Sequence, residues 1–117
     1  MTVSAIPRLK TEIRVQAWLK RCSAAGLMAT VVRKGDAEAG ALFIKVNHFA
    51  AGCEVFSGVT GPDGAQTWFR ATGDRPVLEK EADAYLTRQS SYDPDLWVIE
   101  IEDPRNVFVF DEPVVSA

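Results

Sequence analysis

Apolar residues recur along the chain with two different periods, and those periods divide it into elements. Between Thr11 and Gly26 the spacing is helical: Val15, Trp18, Leu19 and Cys22 share a face about 100° wide. Thr11 reads as the N-cap of this helix, Gly26 as the residue that closes it, and Pro7 as the break ahead of it. A second helical pattern, Leu78, Ala82, Tyr85, Leu86 and Gln89, follows the break Gly73-Asp74-Arg75-Pro76. Its first turns hold Glu79, Glu81 and Asp83 and its last holds Arg88, the polarity that a helix dipole favours.

The rest of the pattern is extended. Residues 27–32 and 41–46 are apolar on both faces of the pleat, and Gly35 and Gly40 bracket a polar loop between them. This predicts a central hairpin over 27–47, buried on both sides. Residues 53–60 and 65–72 predict a second hairpin about the turn Gly61-Pro62-Asp63-Gly64, where Pro sets φ and Gly permits φ > 0. Residues 96–103 read as a strand with Trp97, Ile99 and Ile101 on one face and Leu96, Val98, Glu100 and Glu102 on the other. After Pro104-Arg105-Asn106 the run 107–110 reads as a last strand. The expected fold is α+β: a mainly antiparallel sheet of five to six strands with two helices, in the order α-β-β-β-β-α-β-β. One domain is expected over 1–117, with residues 1–7 and 111–117 loosely held. Two helices are few for covering both faces of such a sheet, so the doubly apolar hairpin predicts self-association or a protein partner through the sheet.

Composition narrows the class. The chain has 117 residues, 47% apolar and 25% charged, which is the globular average. No run approaches the roughly 20 apolar residues of a membrane span, and the first residues lack the apolar core of a secretory signal. Cys22 and Cys53 are too few for a disulfide scaffold and read as buried thiols. A soluble cytoplasmic protein without a membrane partner is expected. The net charge of −3 hides an asymmetry: residues 1–35 carry seven basic groups and one acid, and the remainder carries six and fifteen, so the two parts stand at +6 and −9. Such a split suits either a basic face for an anionic partner or two parts that neutralise each other. A pI near 5.1 argues against general nucleic-acid binding.

Chemistry-bearing motifs are few. His48 is the sole histidine, and its neighbours form no recognisable nucleophile setting. No zinc spacing, Walker loop or dinucleotide-binding glycine motif is present, so neither a metal nor a cofactor is expected. The element order invites comparison with restriction-endonuclease-like nucleases, but the position two before Lys45 is Phe43 where that template needs an acid. The Arg33-Lys34-Gly35-Asp36 turn has cations and backbone N–H groups that suit an anion, or a solvated hairpin tip. Asp93, Asp95, Glu100, Glu102 and Asp103 suit a divalent cation, a salt-bridge partner for the basic first helix, or a solvent face.

The segments RLKTEI (8–13), VVRKGDAEAGALFIKV (31–46), ADAYLTRQSSYDPDLWVIEIED (82–103) and DEP (111–113) carry a resemblance. On them the chain resembles the domain-of-unknown-function family 1491, small proteins typical of alphaproteobacteria. The resemblance spans nearly the whole chain and implies a cytoplasmic, single-domain bacterial protein. It implies no activity and hence no catalytic residues. Two readings follow from the sequence. The first is a non-catalytic binding or assembly module that uses its doubly apolar sheet. The second is a small-molecule or anion-binding domain, with or without catalysis, centred on Arg33, Lys34, Asp36, Arg70, Asp93 and Asp95, which requires those side chains to converge on one pocket.

Overall fold

The computed structural model describes residues 9–116; the segment 1–7 expected to be loose, and Pro7 within it, lie outside the described residues. α1 (Thr11–Ala24) buries Val15, Trp18 and Cys22, three of the four residues of its expected apolar face. Lys10, not Thr11, takes the N-cap position. Thr11 Oγ1 instead donates to the Gly40 carbonyl at 2.7 Å, and the N–H groups of Thr11 and Glu12 donate to Glu38 and Ala37 carbonyls. The helix start is thus capped by a distant loop, which satisfies donors that have no partner within the helix. Gly26 closes α1 in left-handed backbone (φ 75°), as expected.

The strands are β1 (Met28–Arg33), β2 (Leu42–Asn47), β3 (Cys53–Thr60), β4 (Gln66–Arg70), β5 (Trp97–Glu102) and β6 (Val114–Ser116), with α2 (Glu79–Tyr92) between β4 and β5. A single 3-10 turn, Phe49–Ala51, is inserted between β2 and β3. The spatial order is β1-β5-β2-β3-β4-β6. β5 runs antiparallel to β1 but parallel to β2, and β6 runs parallel to β4. The sheet is therefore mixed, not mainly antiparallel.

Two expectations are corrected by this order. β1 and β2 do not form a hairpin, because β5 lies between them. The reason lies in β5: Trp97, Ile99 and Ile101 on one face and Leu96 and Val98 on the other are all buried, so the strand is stable only with neighbours on both edges and cover on both faces. Residues 107–110 form no strand. The N–H groups of Val107 and Phe108 donate to the Asp103 carboxylate, both at 2.9 Å, and the Val109 carbonyl accepts from Arg21. The segment is a strap that drives Phe108 and Phe110 against the core. The chain end expected to be loose continues from it into β6, and the Trp68 indole N–H holds Glu112 on the way.

The core has two layers, one per sheet face. Under α1 and the strap lie Val15, Trp18, Leu42, Ile44, Val46, Phe56, Trp68, Trp97, Ile99 and Ile101. Aromatic rings dominate, with Phe110 at 4.8 Å from Phe56 and 4.9 Å from Trp68. Under α2 lie Phe43, Val55, Ala82, Leu86, Leu96 and Val98. The hairpin of β3 and β4 forms as read from the Gly61–Gly64 turn.

Candidate functional site

The six residues singled out in the sequence do not share one pocket. Five lie where the loop after β1 meets the loop before β5. Arg33 Nη1 donates to the carbonyls of Pro94 and Leu96, each at 3.0 Å. The Asp36 N–H donates to the Asp95 carbonyl at 2.9 Å, and the Trp97 indole N–H donates to the Asp36 carbonyl at 2.7 Å. Asp36 Oδ2 accepts from the N–H groups of Glu38 and Ala39, and Asp93 Oδ1 from that of Asp95. A Cβ at Gly35 or Gly40 would overlap the Asp95 carbonyl oxygen, so only glycine lets the loops close. Arg33, Asp36 and Asp93 thus spend their polar atoms on backbone, while Lys34 and Asp95 are exposed. This is a latch between two of the segments that carry the family resemblance, 31–46 and 82–103. Arg70, the sixth residue, is on β4, four strands from β1, or roughly 19 Å across the sheet.

Two polar centres went unrecognised in the sequence. On the α2 side Lys45, in the middle of β2, is 3% exposed. Its Nζ lies 2.8 Å from Glu79 Oε2, 2.8 Å from Asp83 Oδ1 and 3.3 Å from Glu100 Oε1. Burial alone would push its pKa down, but hydrogen bonds to Asp83 and Glu79 and the charge of Glu100 outweigh it, and the net direction is upward. An ammonium held this way is a strut, not a nucleophile. Lys45 and Glu100 stand opposite each other in the parallel register of β2 and β5. That was the available signal: one lysine and one glutamate, each at an inward position of an otherwise apolar strand, mark those strands as neighbours. The finding also corrects the partner expected for Glu100, which is Lys45 and not the basic helix. Arg21 of that helix pairs instead with Asp111 and Glu112 in the chain end.

On the α1 side a second chain of groups crosses three elements. His48 Nδ1 lies 2.9 Å from the Asp103 carbonyl oxygen, and Nε2 lies 3.0 Å from Glu54 Oε1. Glu54 Oε2 is 3.1 Å from Arg70 Nε, an ion pair whose N–H is not aligned as a hydrogen bond.

Cys22 and Cys53 are buried free thiols, and burial pushes both of their pKa values up. Among the described residues no three His, Cys, Asp or Glu side chains group to hold a metal ion. Two clefts of about 280 Å³ flank the strap, one floored by Trp18 and Trp68, the other by Cys22 and Phe108. Their polar groups are already engaged with one another, as in Arg14 with Gln66 at 2.6 Å and Trp68 with Glu112 at 3.2 Å.

The surface that stands apart is the β1 edge. β1 is the end strand of the sheet, and α2 does not reach over it: Met28 is 66% and Val32 53% exposed. It holds no proline, and its only charge is the terminal Arg33. A bulge at Val32, which has no partner in β5, leaves Met28–Val31 as the regular part of the edge. Natural sheets usually guard such edges with lysine, proline or a covering element.

Comparison with known proteins places these features in context. The model of a family described as "Protein of unknown function (DUF1491)" matches residues 9–111. The chain is similar to a crystal structure of a DUF1491 family protein from Caulobacter crescentus CB15, at 40% identity and TM-score 0.79, over 92% of this chain and 100% of that one. An NMR structure of a DUF1491 family protein from the same organism matches at 41% identity and TM-score 0.76, over 92% and 97%. The solution structure of protein Atu0922 from A. tumefaciens matches at 30% identity and TM-score 0.72, over 83% and 87%. Both sources are alphaproteobacteria, the group to which the sequence motifs pointed. No curated protein matches the chain. Among the described residues no helix is long and apolar enough to cross a membrane.

Proposed function

The chain belongs to the DUF1491 family, which carries no assigned activity, and from that premise we propose that it is a non-catalytic assembly module of the bacterial cytoplasm that pairs with a second copy of itself through the β1 edge. The observation that carries this reading is the uncovered edge strand with Met28 and Val32 exposed on it. A two-fold axis through Thr30 sets β1 antiparallel to its copy, so that Met28 faces Val32 of the partner subunit and each surface meets itself. The same axis brings the basic end of one β1, at Lys34, towards Glu102, which lies beside Met28 in the other copy. Charge complementarity and self-matching apolar residues favour a second copy over an unrelated partner.

The interface is small. Four to six strand residues give a few hydrogen bonds worth about 1 kcal/mol each, against an association cost of at least about 4 kcal/mol. Pairing is therefore weak and concentration-dependent.

Light scattering over a concentration series tests the reading. Wild type is expected to shift from monomer towards dimer mass as concentration rises. Met28→Lys with Val32→Lys sets like charges opposite each other and is expected to abolish the shift. Met28→Lys with Val32→Glu sets opposite charges face to face and is expected to restore it. A monomeric mass for wild type at every concentration, or equal behaviour of the two variants, overturns it.

A further inference from the structure

We propose that His48 is a proton-dependent clamp: held as an imidazolium, it ties Asp103, the anchor of the strap 107–110, to the sheet, and loss of its proton loosens that strap. The argument is one of donors and acceptors. The Asp103 carbonyl at 2.9 Å from Nδ1 can only accept, and the ionised Glu54 carboxylate at 3.0 Å from Nε2 can only accept. A neutral ring donates from one nitrogen and presents a lone pair at the other, so it satisfies one oxygen and repels the second. Both contacts are satisfied together only when both nitrogens carry protons. The side chain is 6% exposed, so water offers little substitute.

Charge balance agrees. The charged groups that face His48 are Glu54 from β3, the Asp103 carboxylate 3.7 Å from Nδ1 in the turn after β5, and behind Glu54 the Arg70 guanidinium from β4. With the proton present these are two cations and two anions. Without it the centre carries a net negative charge in a site where Asp103 is fully buried.

The clamp holds something that moves as a unit. Asp103 receives the N–H groups of Val107 and Phe108, and this anchors the strap that inserts Phe108 and Phe110 among Trp18, Trp68 and Phe56. The sign follows from the geometry: both contacts exist where the ring carries two protons, at acid pH, and one of them is lost where it carries one. The device rests on the strap and not on the β1 edge, so it stands or falls independently of self-association.

His48 is the only histidine, so its ring signals in the 15N-labelled full chain need no assignment. NMR between about pH 5.5 and 9 is expected to show both ring nitrogens protonated at the acid end. A single titration is then expected, with the Val107 and Phe108 amides moving at the same midpoint. After correction for base catalysis, their hydrogen exchange is expected to quicken about tenfold above that midpoint, the worth of one charge-assisted hydrogen bond. Glu54→Gln supplies an amide that can donate to a neutral ring, and it is expected to remove the pH dependence of the Val107 and Phe108 exchange while the fold persists. A neutral ring at the acid end, a titration that leaves Val107 and Phe108 still, or an unchanged pH dependence of their exchange in Glu54→Gln overturns the proposal.

Discussion

β1, MATVVR, and β2, LFIKVN, have the same length, similar apolar content and one basic residue each, yet their surroundings differ. Every residue of β2 is buried, while β1 alternates between exposed and half-buried positions. The difference traces to their polar residues. Lys45 of β2 has an opposite number, Glu100, in the next strand, and two more acids, Glu79 and Asp83, one turn apart on the covering helix. Thr30 of β1 has no such arrangement, and Arg33 reaches past the strand end to carbonyls. Apolar content makes a strand eligible for the centre of a sheet. The partner that answers its polar exception decides which strand goes there.

The largest effect should come from breaking that partnership. Lys45→Met leaves three carboxylates facing an apolar strand. Two of them are half exposed and can rehydrate, so the expected loss is about 3 kcal/mol, the lower part of the range for a broken buried pair. Thr30→Ala at the edge should change stability by no more than about 0.5 kcal/mol. Urea unfolding of the two variants measures the contrast directly. The sign of the Lys45 shift adds a pH dependence: a raised pKa gives stability that is complete below the ordinary lysine range and lost only in stronger alkali. The gap between wild type and Lys45→Met should therefore stay constant from about pH 6 to 10.

A smaller effect is expected at the latch. Gly35→Ala forces a methyl group onto the Asp95 carbonyl where the two loops meet, for an expected loss of about 1–3 kcal/mol in thermal or urea unfolding. If the variant matched wild type, the loops would not hold each other as described.

Much of this architecture was legible in the sequence because local physics dictates it. The α1 stripe of Val15, Trp18 and Cys22, the Gly61–Gly64 hairpin and the two faces of β5 all follow from periodicity and turn chemistry. Strand order was not legible. Residues 27–32 and 41–46 look like adjacent strands because they are adjacent in sequence, and nothing local announces that a strand more than fifty residues later will part them. Phe108 and Phe110 keep the in-and-out alternation of a strand, but Asp103 takes the N–H groups that a strand would need. The candidate site fared similarly. The sequence found the polar residues of the 33–36 and 93–95 loops but not that each serves the other's backbone. Lys45 draws its meaning from partners 34 to 55 residues away, and His48 from Asp103, 55 residues away, together with the nearby Glu54.

Amide exchange along Met28–Val31 tests the proposed meeting of two copies at the β1 edge most directly, at the residues concerned. At high protein concentration the outward-facing amides of β1 should exchange several-fold more slowly than in dilute solution, while those of β6, the opposite edge, should not change. Exchange at β1 that is equally fast at every concentration would contradict the account.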